Sequence, residues 1–493
     1  MSTISAKALW LVHSKGELGV GTTGMRTATR GFRLFASPSF KNWRNCASRL
    51  RVICLLGSAL SFAALDSPAS ATGFFLKQQS VPDLGRVNAG ASAAADNLAT
   101  IFFNPAGLIP LLKDSEDDGV QASLGVNLII PLSEIRNVGS VVASPGTLGS
   151  FVPVAGRNTK DPSAPAPLPN LYIAKKLADG RAAFGLALNA PFGLSTYSKS
   201  DWFGRYDATK ARLTALNVSM VGAYQVGENL SVGGGLDVQY AEAKLIAAIP
   251  NPLAPGGPGN GATDAHGETI GHDWAVGYNV GVLYALEPQT RIGVHYRSKI
   301  DHKIDGSTTF SGLPGPLAAL NGVVGSNANL KLPDIVTAGI WHDMGPLKLM
   351  AELEWYGWSR FDELRIRFDD LRPDAVRPEH YRDAYGAAIG AEYPIGDWVL
   401  RGGVRYETTP TVDRYRDTIV PDAQRTWLGI GATYELSKEW ALDVAANHVF
   451  FNRTNIALNT AFFAGTPLAT AVQTNATVKY AVETVSLSVR RLF

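Results

Sequence analysis

Acyl or proton transfer needs a nucleophile, a base and an orienting group within hydrogen-bond reach. Downstream of residue 71 the side chains best suited to act as base are His266, His272, His295, His302, His342, His380 and His448, and none stands in a catalytic pattern with Ser and Asp or Asn. An enzyme is therefore not expected. His266 and His272 share one loop and could hold a metal ion, but no third ligand follows at a suitable spacing. Asp369 and Asp370 read as loop charges, because a calcium loop needs more alternating oxygen donors. No glycine pattern sits on a strand-to-helix turn to cradle a nucleotide. Neither a metal nor a cofactor is expected, so the chemistry available is that of binding.

The elements that would position such binding are strands. Trp274, Val276, Tyr278, Val280, Val282, Tyr284 and Leu286 alternate with Ala275, Gly277, Asn279, Gly281 and Ala285, a period of two with one apolar face. The run is longer than the five or six residues typical of a soluble strand and matches the nine to eleven that a tilted membrane strand needs. About fourteen such strands are expected, near 120–131, 170–177, 182–190, 212–225, 230–246, 274–286, 290–300, 335–342, 347–356, 385–393, 398–406, 426–436, 440–450 and 478–493. Short turns and long loops alternate between them. Gly227-Glu228-Asn229, Glu287-Pro288-Gln289, Asp343-Met344-Gly345, Ile395-Gly396-Asp397 and Ser437-Lys438-Glu439 are tight hairpin turns, as is Ala178-Asp179-Gly180. The intervening loops 132–169, 191–211, 247–273, 301–334, 357–384, 407–425 and 451–477 are long. Short periplasmic turns with long external loops mark a bacterial outer-membrane barrel, and an even strand count leaves both termini in the periplasm. The fold class predicted is all-β, a transmembrane antiparallel β-barrel.

Composition hides this, because 46% hydrophobic residues and 18% charged residues describe an ordinary soluble protein. A barrel does so because half of each strand faces a polar lumen. Near the start, Arg49 and Arg51 precede an apolar stretch at 52–65, and Ala69-Ser70-Ala71 offers a signal peptidase site. Residues 1–71 are thus expected to be a leader and signal peptide, with the mature chain starting at Thr72. Both cysteines, Cys46 and Cys54, fall in that leader, so the mature chain has no thiols and no disulfides. Residues 1–71 carry Lys7, Lys15, Arg26, Arg30, Arg33, Lys41, Arg44, Arg49 and Arg51 against Glu17 and Asp66. Subtracting that net +7 from the whole-chain +2 leaves −5, which removes the electrostatic case for nucleic-acid binding.

Residues 72–118 lack strand alternation and are read as a small N-terminal element, ahead of a barrel over 119–493. The last strand alternates Val485, Leu487 and Val489 toward Phe493, a terminal aromatic like the recognition signal of outer-membrane assembly machinery. Aromatics at strand ends, including Trp274, Trp398 and Trp440, suit interfacial girdles.

Several segments together resemble the FadL/TodX-type outer-membrane transporters of long-chain fatty acids and hydrocarbons. They are Thr72-Gly73-Phe74, Asp83-Leu84-Gly85-Arg86, Ala94-Ala95-Asp96-Asn97 and Asn104-Pro105-Ala106-Gly107, then Pro191-Phe192-Gly193-Leu194 and Trp202-Phe203-Gly204-Arg205-Tyr206. Leu332-Pro333-Asp334, Trp358-Ser359-Arg360-Phe361, Ile419-Val420-Pro421-Asp422 and Arg425-Thr426-Trp427-Leu428 follow in the family's order. The resemblance implies a monomeric fourteen-stranded barrel in outer-membrane lipid and lipopolysaccharide, its lumen plugged by an N-terminal periplasmic hatch that contains Asn104, Pro105 and Ala106.

The same resemblance implies passive capture of long-chain fatty acids at external loops and lateral exit through the barrel wall. The acyl chain gains about 0.8 kcal/mol per methylene kept from water, so it has little reason to cross a polar lumen. The lateral opening is expected at Asn189, Pro191 and Gly193, where proline cannot donate a ladder hydrogen bond. A carboxylate in an apolar pocket calls for a cation, preferably arginine. Arg205 and Arg425, with Lys210 behind them, sit in the matching motifs; alternatively they pair with Asp201, Asp207 or Asp422. Phe192, Leu194, Trp202 and Phe203, with the apolar run 317–324, would supply apolar contacts. Loop 247–273, rich in Pro, Gly and Asn, offers little apolar helical face for first capture. A hydrocarbon channel of the same family is the neighbouring reading, and a general diffusion porin or structural barrel the more distant one.

Overall fold

The computed structural model describes residues 73–113, 119–177 and 180–492. The leader, its cleavage site, both cysteines, the Ala178-Asp179 part of the first turn and the terminal Phe493 lie outside the described residues. Fourteen long strands close into an antiparallel barrel. They are β1 (Val120–Asn137), β2 (Ala166–Lys176), β3 (Ala182–Tyr197), β4 (Lys210–Gln225), β5 (Leu230–Ile249), β6 (Ala265–Glu287) and β7 (Thr290–Arg297), followed by β8 (Ile335–Asp343), β9 (Lys348–Tyr356), β10 (Ala384–Ile395), β11 (Trp398–Glu407), β12 (Arg425–Glu435), β13 (Trp440–Phe451) and β14 (Thr470–Leu492). Strand β14 returns to β1 with Gln121 opposite Leu492 and Asn137 opposite Ala476. Closure pairs the strands along most of their length, which lipid requires because an unpaired backbone group there finds no water.

Side-chain alternation fits the two environments. In β6, Trp274, Val276, Tyr278, Val280, Val282 and Tyr284 point outward and are exposed, whereas Gly277, Asn279, Gly281 and Leu283 are buried inside. Among the described residues no helix is long and apolar enough to cross a membrane, so the strands do the crossing.

The strands outrun the membrane at the loop end. Strand β6 has 23 residues, roughly twice what crossing requires. Its inner part pairs with β7, and its outer part pairs with Ile300–Ser311, which folds back as Gly322–Leu332. Glu363–Phe368 and Ala375–Pro378 extend this sheet, and Thr454–Phe462 pairs with the overhang of β14. Sequence alone had assigned these pieces to loops, because they carry much of their pairing above the lipid and need no apolar outer face.

Residues 73–112 lie among the inward-facing strand residues and are buried almost throughout. Ser80 caps the short helix Val81–Gly85 by accepting from the Asp83 N–H at 3.3 Å. Asn104 opens the turn Pro105–Gly107; its Oδ1 accepts from the Ala106 N–H at 3.2 Å, and its Nδ2 donates to the carbonyls of Ser92 at 2.7 Å and Val282 at 3.0 Å. Ser231 Oγ donates to the Ala106 carbonyl at 2.9 Å. Asn104, Pro105 and Ala106 thus rest against β5 and β6, and a Cβ at Gly233 would meet the Ala106 nitrogen at 2.5 Å. Glycine is what lets the two backbones approach there.

Candidate functional site

Above the buried N-terminal segment, a largely apolar cavity of about 130 Å³ lies among the external loops. The inward residues of β4 and β5 bring Leu213 and Leu245 to it, the outer hairpin supplies Ile304 and Leu330, and Phe74 of the N-terminal segment closes one side. Phe74 is fixed by edge-on contacts with Trp358 at 4.6 Å and Phe361 at 5.6 Å. Edge-to-face packing of this kind adds about 0.5–1.5 kcal/mol per pair beyond burial.

Charged side chains reach the cavity through Arg377, Glu379 and Asp417. Lys244, which pairs with Glu268 at 2.5 Å, and Arg212, whose Nε donates to Thr214 Oγ1 at 3.3 Å, also border it, but they alternate with the inward Leu245 and Leu213, so their side chains lie on the opposite face of the wall. Arg377 pairs with Asp207 at 2.7 Å and donates to Asp417 at 2.9 Å, so one cation serves two carboxylates. Burial, reinforced by Asp417, pushes the Glu379 carboxyl well above the usual carboxylate range. Burial and the neighbouring Asp207 push Asp417 up to about 6.

Beside the cavity the wall of the barrel changes character. Strands β2 and β3 pair from Lys176 opposite Ala183 to Leu171 opposite Leu188, and the remaining Ala166–Asn170 part of β2 is matched only to β1. On the other edge of β3 the register with β4 shifts between Asn189 and Phe192. The freed backbone turns to the N-terminal segment. The Pro191 carbonyl accepts from the Leu76 N–H at 2.7 Å, the Gly193 N–H donates to Phe74 at 3.0 Å, and the Ala190 carbonyl accepts from Gln79 Nε2 at 3.0 Å. Asn189, Pro191 and Gly193 are therefore at a discontinuity of the ladder, although β3 itself runs on to Tyr197.

Beneath the cavity the N-terminal segment is tied down by charge. Lys77 contacts Glu354 and lies 3.4 Å from Glu407; Arg405 contacts Glu354 and pairs with Glu407 at 2.7 Å. Arg86 joins Asp83 and Asp96 at 2.5 Å each and also contacts Glu392.

The residues expected to form the cargo site divide. Leu194 lines the cavity, and Phe192 packs on Phe75 at 5.3 Å and Phe74 at 6.3 Å. Trp202 and Phe203 instead pack with Ile135, Ile456 and Val478 in a separate cluster. Arg205 is 2% exposed and holds Asp264 at 2.8 Å and the carbonyls of Ala155 at 2.7 Å and Gly259 at 3.0 Å, which pins external loops together. Arg425 holds Glu407 at 2.7 Å and Asp422 at 2.6 Å. Neither arginine lines the cavity, nor does Lys210 at the start of β4. Arg205 and Arg425, expected as a carboxylate clamp, thus have donors engaged by buried carboxylates and, for Arg205, by carbonyls. The run 317–324 is not part of the cavity lining, and Leu320 and Val323 are exposed at the hairpin tip. Arg377, Glu379 and Asp417 escaped sequence reading because they occupy two loops without periodicity; the only hint was the apolar pair Ile419-Val420 within a charged stretch.

A family model described as outer membrane protein transport protein (OMPP1/FadL/TodX) matches residues 62–493. The long-chain fatty acid transport protein of Escherichia coli O6:H1 is 27% identical over 417 residues, covering 79% of this chain and 90% of that protein. Outer membrane protein P1 of Haemophilus influenzae is 28% identical over 419 residues, covering 79% and 88%. Among solved structures, a Pseudomonas aeruginosa FadL homologue superposes with a TM-score of 0.72 at 22% identity, covering 85% of this chain and 99% of that one. The Ralstonia pickettii toluene transporter TbuX gives a TM-score of 0.58 at 21% identity, with 85% and 99% covered.

Proposed function

Since the chain belongs to the outer-membrane protein transport family (OMPP1/FadL/TodX) and forms an outer-membrane β-barrel, we propose that it takes up hydrophobic molecules, long-chain fatty acids among them. Cargo is captured passively among the external loops, occupies the apolar cavity and leaves sideways near Asn189, Pro191 and Gly193. The observation that carries this reading is the adjacency of an apolar cavity to a break in the β2–β3 ladder, with Phe74 bridging the two. Residues 72–118 act as the hatch and 119–493 as the barrel, a monomer set in outer-membrane lipid and lipopolysaccharide and inserted by the assembly machinery through its C-terminal strand.

The apolar lining and the engagement of Arg205 and Arg425 elsewhere also favour neutral hydrocarbons as cargo. A carboxylate gains nothing from a wall of Leu and Ile, whereas an alkyl chain gains about 25 cal/mol per Å² buried. A general diffusion porin is disfavoured by the polar bonds that hold residues 73–112 inside the strands.

Uptake of labelled fatty acid by cells that express the protein in place of their own transporter tests the proposal. Leu213→Trp, which fills the cavity, is expected to lower uptake at least tenfold while the barrel still inserts and planar bilayers containing it stay non-conducting. Unchanged uptake in that variant, or steady ion conductance by the wild type, would refute the route.

A further inference from the structure

We propose that the polar end of the cavity, formed by Glu379 beside Asp207, Asp417 and Arg377, receives an uncharged hydrogen-bonding head, so that a long-chain acid binds as the protonated acid and not as its carboxylate. This rests on the uptake reading above and specifies the chemical form of the cargo.

Glu379 lines the cavity and is only 5% exposed, and its carboxyl makes no hydrogen bond or ion pair with any described residue. Its backbone is nonetheless firmly held: the N–H groups of Glu379 and His380 both donate to the Asp362 carbonyl at 2.8 Å, and His380 adopts φ +45°. An unpaired carboxyl is thus presented to an apolar space by a fixed turn. Leaving it ionised there would cost several kcal/mol, and burial together with Asp417, against the opposing pull of Arg377, holds its carboxyl well above the usual carboxylate range. A protonated carboxyl donates one hydrogen bond and accepts others, which suits a hydroxyl or another carboxylic acid.

The groups around it oppose an anion. Arg377 is shared between Asp207 and Asp417, and Tyr381, beside Phe361 at 5.0 Å, has its hydroxyl held well above its usual range by burial, with Glu379, Asp417 and Asp422 adding to it. A cargo carboxylate would bring one more negative charge to a set that already has more carboxylates than cations. Lys244 and Arg212, whose backbones also border the cavity, alternate with Leu245 and Leu213 and so carry their charges on the opposite face, where Lys244 pairs with Glu268 and Arg212 donates to Thr214.

The test is binding of dodecanoic acid, 1-dodecanol and dodecane to the purified full-length mature barrel in detergent at pH 6 and pH 8. If only the protonated acid binds, its apparent affinity falls about tenfold for each pH unit above the ordinary carboxyl pKa, close to a hundredfold across this range. Dodecanol, which controls for titration of Asp417, is expected to change less than threefold. Glu379→Leu should erase the preference for dodecanol over dodecane, and Glu379→Gln, which keeps a donor and an acceptor, should preserve it. Dodecanoic acid affinity that stays flat with pH and drops in Arg377→Gln would overturn the inference, since the anion would then be the bound species. Dodecane binding with no discrimination among heads would overturn it while leaving uptake of apolar cargo intact. Failure of all three probes to bind would sink the uptake reading and this inference together.

Discussion

The cavity and the layer beneath it are built from opposite materials. Leu213, Leu245, Ile304 and Leu330 surround empty space, while a few residues below, Lys77, Arg405 and Arg425 are packed against Glu354, Glu407 and Asp422 with almost no exposed surface. Apolar walls bind without direction and release without breaking hydrogen bonds. Buried ion pairs have fixed geometry, and removing one partner leaves a charge stranded at a cost of about 3–5 kcal/mol. The contrast assigns the upper region to exchange of cargo and the lower region to keeping residues 73–112 in place.

The largest effects should therefore come from the lower region. Arg86→Ala strands Asp83 and Asp96 and leaves Glu392 with Arg401 alone, and a loss of about 3–5 kcal/mol in the anchoring of the N-terminal segment is expected. Single-channel recording would detect it as ion conductance absent from the wild type; silent bilayers with the variant would mean the segment is held by something else. Two leucines sharpen the comparison at a smaller scale. Leu76 is fully buried against Ile129, Leu168 and Val482, so Leu76→Ala should cost about 2–5 kcal/mol. Leu213 already faces the cavity on one side, so Leu213→Ala removes fewer contacts and should cost about 1–2 kcal/mol. Urea unfolding in detergent compares them, and equal losses would mean that the cavity wall is as tightly packed as the layer below.

How much of this was legible in the chain follows the same division. The membrane-crossing strands announce themselves because lipid imposes an apolar face every second residue, as from Trp274 to Leu286. All fourteen were read to within a few residues over their membrane part, but the overhangs, such as Ala265–Asp273 of β6, carry no lipid-facing signal and were assigned to loops. The break at Asn189 to Gly193 was legible through Pro191, which has no N–H to donate. The partners of Arg205 were not. Asp264 lies 59 residues away in a loop without periodicity, and nothing local distinguishes an arginine that waits for cargo from one that staples two loops. Arg425 was nearer to legible, since Asp422 stands three residues before it and was one of the alternatives weighed. Glu379 was invisible for the converse reason, because an acid without a partner looks on the page like any solvated loop charge.

Acid should separate the two regions by sign. Asp417 has its pKa raised to about 6 by burial and Asp207, so the folded loops bind more protons than the unfolded chain, and stability falls as pH rises from about 4 through 6. Lowering pH from 7 to 5 is thus expected to tighten the loops that bear Arg377, Glu379 and Asp417. Asp96 behaves in reverse: burial pushes it upward, but Arg86 overrides this and holds its carboxyl well below the ordinary 3.8. Its contribution is complete above the unfolded value, persists unchanged from pH 7 to pH 5, and is lost only as pH falls below about 4. Hydrogen exchange followed by mass spectrometry should show slower exchange over 375–381 and 415–420 at pH 5 than at pH 7, after correction for intrinsic rates, with no change over 81–88, the stretch that holds Asp83 and Arg86. Faster exchange in the loops would mean that Asp417 is stabilised as an anion by Arg377, its pKa lowered below the ordinary carboxyl value by the ion pair and not raised by burial.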